Sequence, residues 1–415
     1  MISLLLITYY FPPCGGAAVQ RWLRLLPELV KAGFRITVIT TQDGDYPTRD
    51  ETLWAAIPSE VNVIRTKTPV FGKFWRKLTG KNEPIPYGSL NSSSDTPVIK
   101  KLMFWLRLNL IFPDARVIWN PYARKEALKQ CRENRFDWVI TSGPPHSTHL
   151  IGYYLKKHIR IKWMTDFRDP WSKIYYLDME KQNAAIRFLT KKWERKVIQA
   201  ADQNLIVSQH IADTLPPGKK RILYNGFAES DFADQTYVID DKFRIKYIGQ
   251  LTAGQNIKAI FDLLQGDEIS NLVSKVEFSF VGTNPESIPK TEISLRQTGF
   301  ISHMEAIKEM VQCELLILLI NEYTGSKGML TTKLFEYIAS RTPIICLGPL
   351  EGEAAAIIKE VQAGLSSPVV TPEVVAFFKQ LYDAWAEGCP QRTGSDISKW
   401  SVRQQISVLK DILLS

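Results

Sequence analysis

Between an apolar run and a helical pattern the chain reads YYFPPCGGAAVQRW, from Tyr9 to Trp22. Glycine has no Cβ, so Gly15 and Gly16 let backbone amides come close to a ligand. The first turn of the helix that follows adds unpaired N–H groups and the positive end of a dipole, a combination that favours phosphate. Pro12 and Pro13 stiffen the approach. The pattern is not GxGxxG, and no Asp or Glu closes a ribose about 20 residues on. A tight turn that needs glycine for its shape alone has the same residues. Two more polar groups follow strand-like runs, where open α/β sheets place ligands. His146 lies in SGPPHSTHL and Asp169 in FRDPW. His146 can meet a ligand or hold a local partner. His149, one helical turn on, is the weaker choice. Asp169 is favoured over Asp166, which can pair with Arg168 instead.

These residues need strands ending beside them. Strand patterns occur at residues 3–8, 36–40, 61–66, 138–141, 162–166 and 204–208, then at 220–224, 243–248, 276–281, 314–320 and 343–347. Helical patterns lie between them at 17–32, 148–158, 184–200, 256–264, 304–313, 332–340 and 353–359. The first helix puts Val19, Trp22, Leu23, Leu26 and Val30 on one stripe, with Arg21, Arg24 and Glu28 elsewhere. Such alternation argues for an α/β protein with parallel sheets covered on both faces. It occurs twice, with a break at Leu215-Pro-Pro-Gly218. The expectation is two Rossmann-like, doubly wound domains facing across a cleft: residues 1–218, residues 219–390, and a final helix in 391–415 packing back across the hinge.

At 415 residues the chain exceeds one ordinary core. It has no apolar run of about 18 residues, so no transmembrane helix is expected. The apolar start runs straight into a helix pattern and reads as a first strand, not a signal peptide. Five scattered cysteines without a CxxC spacing suggest neither a zinc site nor a disulfide framework, which fits a reducing cytoplasm. Charge is uneven. Residues 1–218 hold 32 Lys and Arg against 19 Asp and Glu, while residues 219–415 hold 20 against 24. Residues 65–135 alone hold 15 against 5. That is a footprint for an anionic partner or simply a soluble basic surface. Within it a polar stretch at 80–100 reads as a loop between two basic, aromatic stretches, 71–78 and 100–113. The second suits an interfacial helix on a bilayer or a buried helix between layers. No recognition motif for nucleic acid accompanies the charge, so an anionic membrane surface explains it better. A peripheral position on the inner face of the membrane follows as an expectation.

YYFPPCGGAAVQR resembles the N-terminal turn of the retaining glycosyltransferases of family four, which have the GT-B fold. IFPDARVIWNPYA, SGPPHSTHL and TDFRDPW resemble that family's first-domain landmarks. NGF at 225–227, YIGQL at 247–251, FVG at 280–282 and KLFEYIASRTPII at 333–345 resemble those of the second. The resemblance covers nearly the whole chain. It implies transfer of a sugar from a UDP- or GDP-sugar to a lipid-linked or polysaccharide acceptor, with no metal and no other cofactor. Glu336 would accept hydrogen bonds from the ribose hydroxyls, as a carboxylate suits a diol. Lys333 and Lys327 would meet the diphosphate, with Gly328, Thr331 and Thr332 adding amides or hydroxyls at a helix start. Gly249 would admit the phosphates and Phe300 would flank the base, or simply join the core. His146 would touch the donor sugar or the acceptor. Asp169 would position the acceptor hydroxyl or answer positive charge on the sugar.

Two departures matter. Gly328 stands where the family often has a Glu, eight residues before Glu336. Gln250 and Gln255-Asn256 stand where it often has cations. A degenerate nucleotide-sugar-binding protein therefore remains the alternative. A nucleotide-sugar epimerase is a weaker one, because it would want more carboxylates than Asp166 and Asp169 for its proton transfers.

Overall fold

In the computed structural model, the described residues are 2–46, 48–69, 105–106, 108–174, 182–251, 255, 257–266, 272, 274–283, 295–321 and 325–414. The basic aromatic stretch 71–78, the loop 80–100, Asn256 and part of 100–113 lie outside them.

The chain forms two compact units, Met1–Tyr224 with Ile406–Ser415, and Asn225–Gln405. Each is built on one parallel sheet. The first contains β1 (Ser3–Thr8), β2 (Arg35–Thr41), β3 (Asn62–Thr66), β4 (Trp138–Gly143), β5 (Lys162–Phe167), β6 (Gln203–Ile206) and β7 (Lys220–Ile222), in the order 3-2-1-4-5-6-7. The second contains β8 (Phe243–Ile248), β9 (Val276–Val281), β10 (Leu295–Gln297), β11 (Leu315–Leu319), β12 (Ile344–Leu347) and β13 (Gly364–Ser367), in the order 10-9-8-11-12-13. Both are doubly wound. The direction of winding reverses between β1 and β4, and again between β8 and β11, and such reversals leave a ligand crevice at the strand ends.

The central strands are apolar throughout because helices cover both faces. Leu4, Leu5, Leu6 and Ile7 are all buried, as are Leu315 to Leu319. The helices are α1 (Ala17–Lys31), α2 (Asn120–Glu133), α3 (Thr148–His158), α4 (Ala184–Ala200), α5 (Gln209–Thr214), α6 (Lys258–Gln265), α7 (His303–Val311), α8 (Thr332–Ala339), α9 (Glu353–Glu360), α10 (Pro372–Ala386) and α11 (Val402–Leu414). Helices α2, α5 and α10 and edge strands β10 and β13 have no counterpart in the expected pattern.

One expectation is corrected. The break at Pro216-Pro217-Gly218 is a turn between α5 and β7, not a boundary; residues 220–222 pair with β6, and the first unit ends at Tyr224. Arg21 and Arg24, off the apolar stripe of α1, are nonetheless buried, at 3% and 8% exposed. In the last helix, residues from Ile406 onward group with the first unit, where Trp138 Nε1 donates to the Leu413 carbonyl at 3.1 Å.

Candidate functional site

In the second unit, β8 hands on to Gly249, whose φ of 110° suits glycine alone. A Cβ there would stand 3.2 Å from Lys333 Nζ. Lys333, in the first turn of α8, thus lies over bare backbone. Its ammonium donates to Tyr247 Oη at 3.0 Å and sits 4.4 Å from that ring's centre. Tyr247 Oη in turn donates toward the Gln250 carbonyl at 3.0 Å or Gln255 Oε1 at 3.2 Å. Thr283 Oγ1 fixes the Gly249 carbonyl at 2.6 Å. At the cap of α8, Thr331 makes no side-chain capping bond, and its buried Oγ1 has no partner among the described residues. The first-turn amides of α8 have no carbonyl ahead of them in the helix. A cation, a left-handed glycine and a helix start therefore converge at the crevice of the second sheet.

Glu336 follows one turn behind Lys333 and is 6% exposed. Its Oε1 is 3.9 Å from His303 Nδ1, and His303 Nε2 is 3.1 Å from Asp231 Oδ2. His303 is held in place because Ser302 and Glu305 form a capping box at the start of α7.

At the equivalent strand ends of the first unit a buried carboxylate is satisfied by the chain itself. Asp166 is fully buried and receives Arg21 Nε at 3.0 Å, Trp22 Nε1 at 2.9 Å and Ser142 Oγ at 2.7 Å. Burial pulls the Arg21 guanidinium below its usual range, and Asp166 opposes this. Arg168 does not pair with Asp166. It donates to the carbonyls of Gly143 at 3.1 Å, Pro144 at 2.9 Å and Ala18.

The loop bearing His146 is tied down by Asp114, which accepts from Ser147 N and Oγ, both at 2.8 Å, and by Asn120, which donates to the Ser147 carbonyl at 2.7 Å. The His146 ring stacks on Trp171 at 5.4 Å and 12°. Its nitrogens have no hydrogen-bond partner of good geometry. Burial holds the imidazole well below its ordinary value; His149 and Arg168 push the same way, and the Pro170 backbone pulls back. His149 meets Thr141 Oγ1 at 3.0 Å, and burial lowers it to about 3. Both rings are neutral near pH 7. Asp169 is half-buried, and burial raises its carboxyl to about 6 against the pull of Arg168.

No protein-family model and no curated protein matches this sequence. Solved structures match it over its whole length. TarM is similar with a TM-score of 0.62 at 9% identity, covering 100% of this chain and 99% of that one. A glycosyltransferase from Rickettsia africae ESF-5 is similar with a TM-score of 0.60 at 14% identity, covering 99% and 97%. WaaG, a glycosyltransferase involved in lipopolysaccharide biosynthesis, is similar with a TM-score of 0.55 at 12% identity, covering 100% and 99%. The fold is GT-B.

Within this GT-B chain, Gly249, Thr332, Lys333 and Glu336 come together at one crevice. Lys327 stands apart in this conformation: it is ion-paired with Glu351, and the pair is 49% and 81% exposed. Phe300 is 76% exposed and belongs to no core. The amide of Gly15 is already used, donating to the Thr48 carbonyl at 3.0 Å, and a Cβ there would stand 3.1 Å from Thr48 Oγ1. Gly16 is exposed with φ 79°. Packing against residues 48–50 confines Gly15, and the left-handed backbone favours glycine at 16. Sequence reasoning missed Tyr247, His303, Asp231 and Arg21. The Ser-x-x-Glu at Ser302 is a local signal that could have placed His303 at a helix start. Among the described residues no three His, Cys, Asp or Glu side chains converge as metal ligands, and no helix is long and apolar enough to cross a membrane.

Proposed function

We propose that this chain is a retaining glycosyltransferase that moves a sugar from a nucleoside diphosphate donor to a lipid-linked or glycan acceptor. One observation carries the reading: Lys333 lies over the left-handed Gly249 at the start of α8. As the glycosidic bond to the donor breaks, charge gathers on the leaving diphosphate. A fixed ammonium and helix-start amides answer that charge without reorganising. Glu336 accepts from the ribose diol, and His303 steadies it. The leaving phosphate takes the acceptor proton on the same face, so the residues supply position and charge, not a separate base. In the first unit, Asp169 orients the acceptor hydroxyl or offsets positive charge on the sugar, and His146 and Trp171 form the neighbouring wall. The donor class has support from a TarM mutant solved with UDP and α-GlcNAc-glycerol.

The pairing of Lys327 with Glu351, and Gly328 in place of a carboxylate, favour a second reading as a nucleotide-sugar binder without turnover. A thermal-shift screen against UDP-, GDP- and ADP-sugars, followed by assay for released nucleotide, separates the two. A shift with turnover supports transfer, and a shift without it supports the binder. No shift with any donor removes both.

A further inference from the structure

Helix α4 carries the sequence AAIRFLTKKWERKVIQA. Arg187, Lys191, Lys192, Arg195 and Lys196 are all exposed. The single acid of the helix, Glu194, is 3% exposed and turned inward, accepting from Ser172 N at 2.9 Å and Ser172 Oγ at 2.6 Å. The outer face of α4 therefore presents five cations and no carboxylate. Among them Phe188 stands 65% exposed. Residues 188, 191, 192 and 195 follow the helical repeat and share one stripe.

A second set of apolar groups adjoins it. Asn109 Oδ1 accepts from the backbone N–H of Asn183, the cap of α4, at 2.7 Å. Around Asn109, Trp105 is 45% exposed, Leu106 37% and Leu110 69%. The basic character continues onto α3, where exposed Lys157 lies 4.8 Å from the Tyr153 ring and Tyr153 meets Trp193 of α4 edge-on at 5.5 Å.

We infer that this face docks on an anionic lipid bilayer. Phosphate groups alone account for the cations. They do not account for a phenylalanine, a tryptophan and two leucines held in water beside them, which an acyl boundary covers. A surface of cations interleaved with apolar side chains matches an anionic headgroup layer over hydrocarbon. The inference is independent of glycosyl transfer and concerns residues outside both crevices.

The test is co-sedimentation of the full chain with extruded vesicles of phosphatidylcholine alone and of phosphatidylcholine with 30% phosphatidylglycerol. Binding is expected to the second only, and to fall steeply between 50 and 300 mM NaCl as screening shortens. Each basic group near such a surface contributes about fivefold to partitioning. Lys191→Glu/Lys192→Glu/Arg195→Glu should therefore bind at least about a hundredfold more weakly, while Lys191→Arg/Lys192→Arg keeps wild-type binding. Phe188→Ser should lose severalfold without any charge change. If the triple variant lacks the wild-type melting transition, Lys192→Glu and Phe188→Ser carry the test. Equal binding to neutral vesicles, no binding, or variants that bind like wild type overturn the inference. So does a 30-base-pair DNA duplex binding more tightly than the anionic vesicles at the same salt.

Discussion

The two crevices of this molecule occupy the same topological position and are furnished in opposite ways. In the first, a buried carboxylate, Asp166, is satisfied by Arg21, Trp22 and Ser142, and the Gly15 amide is spent on Thr48. In the second, a half-buried lysine lies across a bare glycine, and the hydroxyl of Thr331 has no partner among the described residues. One crevice uses its polar groups to hold strands β4 and β5 and helix α1 together. The other sets a lysine, held by the Tyr247 hydroxyl, over bare backbone at a helix start. The same winding reversal can thus carry a buried brace in one unit and an accessible cation in the other.

The contrast can be broken at several points. Arg21→Ala leaves the Asp166 carboxylate buried beside a lost cation, so it should destabilise the protein by about 3–5 kcal/mol; thermal and urea unfolding measure this. A small change would mean the brace is not one. Lys333→Ala and Glu336→Ala should each weaken UDP or GDP binding by about 1.5–3 kcal/mol in calorimetry, the scale of hydrogen bonds to charged groups, and leave Tm nearly unchanged. Unaltered affinity removes that residue from the receptor.

Asp169→Asn sharpens the comparison by pH. The folded carboxyl titrates near 6, above its usual 3.8, so it is ionised above 6 and neutral below. If its charge serves transfer, the rate falls as pH drops through about 6, and the variant has no such limb. The sign for stability is opposite: the folded state favours the protonated form, so the ionised group costs stability above its folded pKa, and Asp169→Asn should raise Tm at pH 8 more than at pH 4. The smallest effect is expected of Glu351→Gln. It frees Lys327 from an exposed pair and leaves Tm unchanged.

Much of this was legible in the sequence. Apolar runs such as Phe243–Ile248 and Val276–Val281 mark strands because both faces are covered. Lys333 and Glu336 declare a shared face by their spacing of three. The braces were not legible: Asp166 meets Arg21 across 145 residues, and His303 meets Asp231 across 72. No local periodicity encodes such pairs. Edge strands of three or four residues, β10 and β13, are too short to show a period, and a Pro-Pro-Gly turn inside a domain looks like one between domains.

The first unit is discontinuous along the chain, interrupted by residues 225–405. On a ribosome, Trp138 would wait for its acceptor at Leu413 until the whole second unit had been made. Completion of the earlier lobe is thereby delayed until residues 225–405 have been made, and a cut after Gln405 should loosen the part of the protein that was translated first.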